Sequence, residues 1–105
     1  MNQIDNIEEL IAAAITIAAE KFRRKEFVKW AENWLSAKNR DSDDAWSVAD
    51  HCSRQTLYES YCSDYSGMRT LVAGYAATAA GLFADGEIDE ARRLAFRALD
   101  RAKYI

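Results

Sequence analysis

Apolar residues recur at three- and four-residue intervals in the first part of the chain, which predicts an amphipathic helix. Asn6 and Glu9 have the spacing of a capping box at its start. The basic run KFRRK is predicted to lie at its end, because basic side chains there complement the negative end of the helix dipole. The predicted inner face comprises Ile7, Ile11, Ile15, Ala18 and Phe22.

The stretch FVKWAENWLSAK places two tryptophans on a single stripe of a second predicted helix. Large aromatic side chains at this spacing form a core more often than a ligand site. The stripe is therefore predicted to face inward, against the first helix. Its members are Phe27, Trp30, Ala31, Trp34 and Leu35.

The polar run KNRDSDDAW predicts a break before a third helix. Ser42 is the predicted N-cap, with Asp43 and Asp44 near the positive end of the helix dipole. The helix is predicted to continue, long or kinked, through the tyrosine-rich segment that follows. Its inner face has two alternatives, either Trp46, Ala49 and Ser53 or Ala45, Val48, Ala49 and Cys52.

Two further helices are predicted after the break SDYSG. Gly74 and Gly81 lie inside the first of these, and because glycine weakens a helix by about 1 kcal/mol relative to alanine, they indicate close helix packing. Gly86 is predicted to end that helix in the C′ position. The predicted buried stripe of the fourth helix is Met68, Leu71, Val72, Tyr75, Ala79, Leu82 and Phe83. The last helix is predicted to bury Ile88, Ala91, Leu94 or Ala95, Ala98 and Leu99. Its predicted solvent-facing row is Arg93, Arg97 and Arg101.

These patterns predict an all-α fold, a compact bundle of four to five antiparallel helices in a single helical domain over residues 1–105. The absence of proline and of long alternating β-branched runs supports this class. The longest apolar stretch, residues 10–19, is too short to span a bilayer and lacks the preceding basic residues of a signal peptide. We therefore predict a cytoplasmic location, in which Cys52 and Cys62 stay reduced.

Few side chains suggest catalytic or metal-binding chemistry. His51 is the only histidine, and adjacent helical residues point about 100° apart, which disfavours a nucleophilic pair with Cys52. The spacing of His51, Cys52 and Cys62 matches no zinc motif. On the last helix, Asp89 precedes Arg93 by four residues and favours pairing within the helix over phosphate binding. We predict a protein that is not an enzyme, has no cofactor or metal and does not bind nucleic acid directly.

Acidic residues concentrate in one segment. The net charge is −3, whereas residues 41–66 contain six acids and one base, a local balance of 1 − 6 = −5. Tyrosines among these acids are typical of a protein interaction surface, although tyrosines at this helical spacing also pack into cores. The candidate partner-binding residues are Asp50, Tyr58, Glu59, Tyr61, Asp64 and Tyr65.

The segment 75–103 resembles a single helix pair of the tetratricopeptide repeat family. The match comprises Ala79, Leu82, Gly86, Ile88, Ala91, Ala95, Ala98 and Leu99. The segment departs from the family pattern at Thr78, where the repeat has leucine, and it lacks the closing proline. This resemblance implies a helical adaptor that holds a peptide in a groove between helices, lined by Trp or Tyr side chains.

A second resemblance involves FVKWAENWLSAKNRDSDDAW and the alanine-rich helices after it. This part of the chain is similar to small proteins of phages and mobile elements, and to an immunity-protein family with a tryptophan-alanine helix, an acidic-arginine loop and alanine-rich helices. The likeness covers about half of the chain and transfers no functional residue. It implies a small helical protein that binds and neutralises another protein.

Three classes of function follow. The first is a non-catalytic inhibitor that binds a basic patch of a protein, such as an anti-CRISPR-like protein acting on a nucleoprotein defence complex, or an immunity protein. The second is the tetratricopeptide-like peptide adaptor, and the third, which the sequence favours least, is a nucleic-acid binder that uses Arg93, Arg97 and Arg101. No membrane partner is expected, and a homodimer is compatible with the first two classes. Salt dependence separates the first and third classes from the second, because charge-dominated contacts weaken with salt and groove packing does not.

Overall fold

The computed structural model describes residues 6–59 and 66–105, without the side chains of residues 55–59 and 66. Five helices make up this part of the chain, and no strand occurs in it, which confirms the predicted all-α bundle. None of the helices within the described ranges is long and apolar enough to cross a membrane. The helices are α1 Ile7–Lys21, α2 Lys25–Leu35, α3 Ser42–Glu59, α4 Ser66–Ala84 and α5 Ile88–Ala102.

Two helix ends form as the sequence predicts. The side chain of Asn6 accepts hydrogen bonds from the backbone N–H groups of Glu8 and Glu9, which caps α1. Gly86 has a φ of 87°, and the backbone N–H of Glu87 donates to the carbonyl oxygen of Leu82 at 2.8 Å. This is the Schellman arrangement at the end of α4.

The aromatic stripe of α2 is buried as predicted, with the exception of its last member. Trp30 and Trp34 are buried in the core, and the rings of Phe22 and Phe27 meet edge to face at 5.6 Å where α1 turns into α2. Leu35 was predicted inside but is exposed, because it is the last residue of α2 and the helix ends there.

The segment after α2 returns to the start of α1 through Arg40. Its Nε donates to the carbonyl oxygen of Trp34 at 2.9 Å, and its guanidinium lies 4.0 Å from the centroid of the Trp34 ring. The same guanidinium forms an ion pair with Glu8. α2 therefore runs antiparallel to α1, and one arginine connects both helices.

The start of α3 differs in detail from the prediction. Ser42 is the first helical residue and not the cap, and the side chain of Asp41 accepts a hydrogen bond from the backbone N–H of Asp43. The hydroxyl of Ser42 donates instead to Asp85, just beyond α4, at 2.6 Å. Further along α3, Cys52 lies next to Gly74, which comes earlier in α4. Because later residues of α3 meet earlier residues of α4, the two helices run antiparallel.

The buried side of α4 consists mostly of small residues, of which the prediction included Val72 and Ala79. α4 packs against α1, α3 and α5 together, so its helix axis must approach three neighbours closely. Only side chains with little volume fit on such a helix. Thr70, Val72, Ala73, Ala76, Ala77, Ala79 and Ala80 are buried, whereas the other members of the predicted stripe are half-buried: Met68, Leu71, Tyr75, Leu82 and Phe83.

The last helix buries the predicted alanines and exposes the predicted arginines, whereas Ile88 and Leu99, also predicted inside, are half-buried. Its buried residues are Ala91, Ala95, Ala98 and Ala102, and Arg93, Arg97 and Arg101 face solvent. Near its end, the Nζ of Lys21 donates to the carbonyl oxygen of Ile105 at 3.3 Å. The C-terminal ends of α1 and α5 therefore lie side by side, and these two neighbours run in the same direction.

Candidate functional site

An acidic surface with an exposed tryptophan lies along the first half of α3. Asp43, Trp46 and Asp50 are spaced three and four residues apart, so they share one side of the helix. All three are exposed, and 36% of the surface of Trp46 is accessible. Asp85 joins them from the turn between α4 and α5. These four residues are called the acidic α3 face below.

The ring of Trp46 is held in place from two sides. Its indole N–H donates to Asp85 Oδ2 at 2.8 Å. A methyl group placed on Gly81 would lie 2.9 Å from the ring, so the indole rests against the backbone of α4. Because both contacts fix the ring, its remaining exposed surface is presented in one orientation.

Asp85 accepts two hydrogen bonds, and both favour its charged form. The Ser42 hydroxyl and, second, the Trp46 indole lower the pKa of Asp85 below its ordinary value of 3.8, while partial removal from water opposes this shift. The carboxylate is therefore ionised at neutral pH. It adds negative charge next to an exposed aromatic ring.

Arg54 is the one arginine or lysine in the sequence of α3. Arg54 forms an ion pair with Asp50 at 2.8 Å, with both side chains more than half exposed. Exposed pairs at this helical spacing contribute only about 0.3–0.5 kcal/mol. The acidic α3 face contains three carboxylates against this one arginine, so its balance stays negative.

The structure describes the predicted partner-binding residues only in part. Asp50 is exposed on the acidic α3 face. Tyr58 and Glu59 lie in the last turn of α3, and their side chains are outside the described part. Tyr61, Asp64 and Tyr65 lie outside the described residues altogether, so the tyrosine part of the predicted surface stays a prediction.

Sequence reasoning missed Trp46 as a surface residue. It offered two inner faces for α3, and the structure contains the second, with Ala45, Ala49 and Cys52 buried. Gly81 could have indicated the correct choice, because a glycine inside a helix leaves room for a large neighbouring ring.

A cleft at the corner between α1 and α2 contains the histidine and the described cysteine. It has a volume of about 380 Å³ and is lined by Phe22, Phe27, Val48 and His51, among others. His51 is exposed, whereas Cys52 is buried, with its Cβ next to Gly74 of α4. Within residues 6–54 and 67–105, no group of three metal-binding side chains comes together.

Comparisons with known proteins give no relative. No family model, curated protein or solved structure matches the chain. The functional interpretation therefore depends on the chemistry of the surfaces described here.

Proposed function

We propose that the protein acts without catalysis, by stoichiometric binding of another protein through the acidic α3 face. The observation that carries the proposal is Trp46, an exposed aromatic ring held rigidly among carboxylates. Rigid aromatic side chains contribute much of the energy of many interfaces, because little conformational entropy is lost when they bind.

The chemistry of this face selects a basic partner. An arginine or lysine of the partner can lie over the exposed indole of Trp46 through a cation–π interaction. At the same time it can approach Asp85, which accepts the indole hydrogen bond, or Asp43 and Asp50, which share the side of α3 with Trp46. Tyr58 and Glu59 follow Asp50 on the same helix and would extend the contact.

The more specific form of the proposal concerns the target. The resemblance of residues 27–46 to phage, mobile-element and immunity proteins supports an inhibitor in the cytoplasm. Its target would be a protein with a basic patch, such as a nucleoprotein defence complex, contacted without direct binding of nucleic acid. The tetratricopeptide-like adaptor stays the alternative, with less support, since Trp30 and Trp34 are buried and are unavailable to line a peptide groove.

The test compares two charge-reversal variants of equal net charge in pull-downs from a bacterial lysate. The first, Asp43→Lys/Asp50→Lys, changes the acidic α3 face. The control, Glu20→Lys/Glu32→Lys, changes exposed carboxylates of α1 and α2. We expect the native chain and the control to retain one partner at a fixed molar ratio, measured by native mass spectrometry, and the first variant to lose it.

Two outcomes would contradict the proposal. If both variants retain the partner, the acidic α3 face is not the binding surface. If the native chain retains no protein at a fixed ratio, stoichiometric binding itself is wrong. Salt gives a second criterion, because the Debye length falls from about 10 Å at 0.1 M to about 3 Å at 1 M and charge-charge attraction is screened. The native chain should therefore retain less of its partner as the salt concentration rises over this range.

A further inference from the structure

The outward side of α4 presents a largely apolar strip between α3 and α5. Tyr75, Thr78 and Leu82 are spaced three and four residues apart, so they share one side of the helix, and all three are half-buried. The hydroxyl of Thr78 donates to the carbonyl oxygen of Gly74 at 2.7 Å, so this polar group is already satisfied within the helix. These three residues are called the α4 strip below.

The helix α3 forms one edge of the α4 strip. The ring of Trp46 rests against Gly81, and Cys52 lies next to Gly74, so α3 follows α4 in the opposite direction. Asp50 comes between Trp46 and Cys52 in the chain and is therefore level with the middle of the α4 strip. This edge includes the acidic α3 face, so it is negatively charged.

The helix α5 forms the opposite edge, and this edge is basic. The guanidinium of Arg97 lies 5.8 Å from the centroid of the Tyr75 ring, which places it beside the α4 strip. Arg101 follows one turn later on the same side of α5. Arg93 forms an ion pair with Glu90, whereas no carboxylate that the structure describes forms an ion pair with Arg97 or Arg101.

The two edges are complementary to each other in charge. The α3 edge has three carboxylates against Arg54, and the α5 edge has three arginines against Glu90. A two-fold axis parallel to α4 places the α3 edge of one copy opposite the α5 edge of another and keeps each residue at its own height along α4. Asp50 and Arg97 are both level with Tyr75, so each Asp50 then faces Arg97 of the other copy.

We propose that the α4 strip and its two charged edges bind a second copy of this chain, with the two α4 helices parallel. The strips of the two copies pack together along the two-fold axis, and the removal of their apolar area from water stabilises the dimer. The contacts between Asp50 and Arg97 fix the orientation, because the antiparallel arrangement would bring the two acidic edges together.

The opposite charges of the two edges favour a second copy as the occupant. A uniformly basic or uniformly acidic protein that covered the whole α4 strip would be repelled by one edge. The dimer does not depend on the proposed function. Both use Trp46 and Asp50, however, so a second copy and a basic partner exclude each other.

The test measures self-association of the purified chain by sedimentation equilibrium. The native chain should form a species of twice the monomer mass as its concentration rises. Asp50→Lys and Arg97→Glu should each weaken this dimer about tenfold or more, because like charges then meet at both edges. An equimolar mixture of the two variants should associate again, because unlike charges face each other at both edges of the mixed dimer.

A further variant addresses the α4 strip itself. Thr78→Glu places two like charges close to the two-fold axis and should also weaken the dimer about tenfold or more. The matched controls are Phe96→Ser, which removes an exposed ring outside the α4 strip and its edges, and the charge reversals Lys29→Glu and Glu32→Lys on α2. Each should leave the dimer Kd unchanged within about twofold, with circular dichroism showing that every variant is folded.

Three results would overturn the proposal. The first is a native chain that stays monomeric up to about 1 mM. The second is a dimer that Phe96→Ser weakens as much as Thr78→Glu does, which would place the contact elsewhere on the molecule. The third is a mixture of folded Asp50→Lys and Arg97→Glu chains that associates no better than either variant alone. Because only the purified chain is used, none of these results decides whether the acidic α3 face binds a basic partner.

Discussion

Trp46 of α3 donates its indole N–H to Asp85 at 2.8 Å, so one carboxylate after α4 positions the exposed ring of another helix. Ser42 reinforces the contact by donating to the other oxygen of the same carboxylate at 2.6 Å. The start of α3 and the end of α4 are thereby joined at the surface proposed to bind a partner.

The first prediction concerns pH and Asp85. Its pKa is lowered in the folded protein, so its contribution to stability is present above the ordinary value of 3.8 and is lost as the pH falls through the folded pKa. Asp85→Asn should therefore lower the Tm at neutral pH, and the difference from the native chain should shrink in acid. Thermal unfolding followed by circular dichroism across this range measures it.

The control for this prediction is Glu32→Gln, which removes one exposed carboxylate from α2 without touching the Trp46 contact. An equal loss of Tm in this control at neutral pH would assign the effect to the removal of any negative charge and not to the hydrogen bonds of Asp85. A difference for Asp85→Asn that stays constant down to acid pH would show that the carboxylate charge does not stabilise the fold.

The second prediction compares two glycines of α4. At Gly81 a new methyl group would lie 2.9 Å from the rigid indole of Trp46, so Gly81→Ala should lower the free energy of unfolding by about 1–3 kcal/mol. At Gly74 the nearest atom is the Cβ of Cys52 at 3.4 Å, which is van der Waals contact. There the gain in helix propensity, about 1 kcal/mol, should make Gly74→Ala neutral or stabilising.

Denaturant unfolding of both variants checks this comparison. Tryptophan fluorescence of Gly81→Ala should also change, because the ring of Trp46 has to move. Equal effects of the two substitutions would mean that Trp46 does not rest on α4 as described.

The third prediction concerns Ala37, which ends α2 in a left-handed conformation with a φ of 63°. The backbone N–H of Lys38 donates to the carbonyl oxygen of Asn33 at 2.9 Å, a Schellman closure that usually contains glycine. Ala37→Gly should raise the free energy of unfolding by about 1 kcal/mol, because glycine adopts this conformation without strain.

Ser36 supplies the matched control for Ala37. Its φ is −87°, a value that any residue adopts, so Ser36→Gly should bring no such gain. Denaturant unfolding of the two variants measures the difference, and equal changes at both positions would contradict the proposed strain.

The fourth prediction concerns Arg40, which contacts the ring and carbonyl oxygen of Trp34 and the carboxylate of Glu8. Arg40→Ala should cost about 1–2 kcal/mol from the lost cation–π contact and hydrogen bond. Arg40→Lys should recover only part of this, since lysine lacks the planar guanidinium. Lys38→Ala, at an exposed neighbouring position, should cost much less.

Chemical denaturation of these three variants, with Trp fluorescence as the probe, measures the expected order. Similar losses for Arg40→Ala and Lys38→Ala would show that the contacts of Arg40 contribute nothing specific to the link between α1 and the end of α2.

Several features of this protein follow from sequence alone because they depend on neighbouring residues. Asn6 caps α1 with its own side chain, and Gly86 ends α4 through its freedom to adopt a positive φ. The spacing of Phe27, Trp30 and Trp34 predicted their burial, since an apolar stripe on one helix must be covered by something. The all-α class follows from the same local rules.

Other features were decided by the tertiary structure. Periodicity predicted both bulky and small residues in the interior side of α4, but three neighbouring helices surround this helix, and its bulky residues are only half-buried. In the same way, the exposure of Trp46 depends on Gly81 and Asp85, which lie 35 and 39 residues away along the chain. Helical spacing specifies which side chains share a face, whereas the arrangement of the neighbouring helices determines which face is covered and which remains open to a partner.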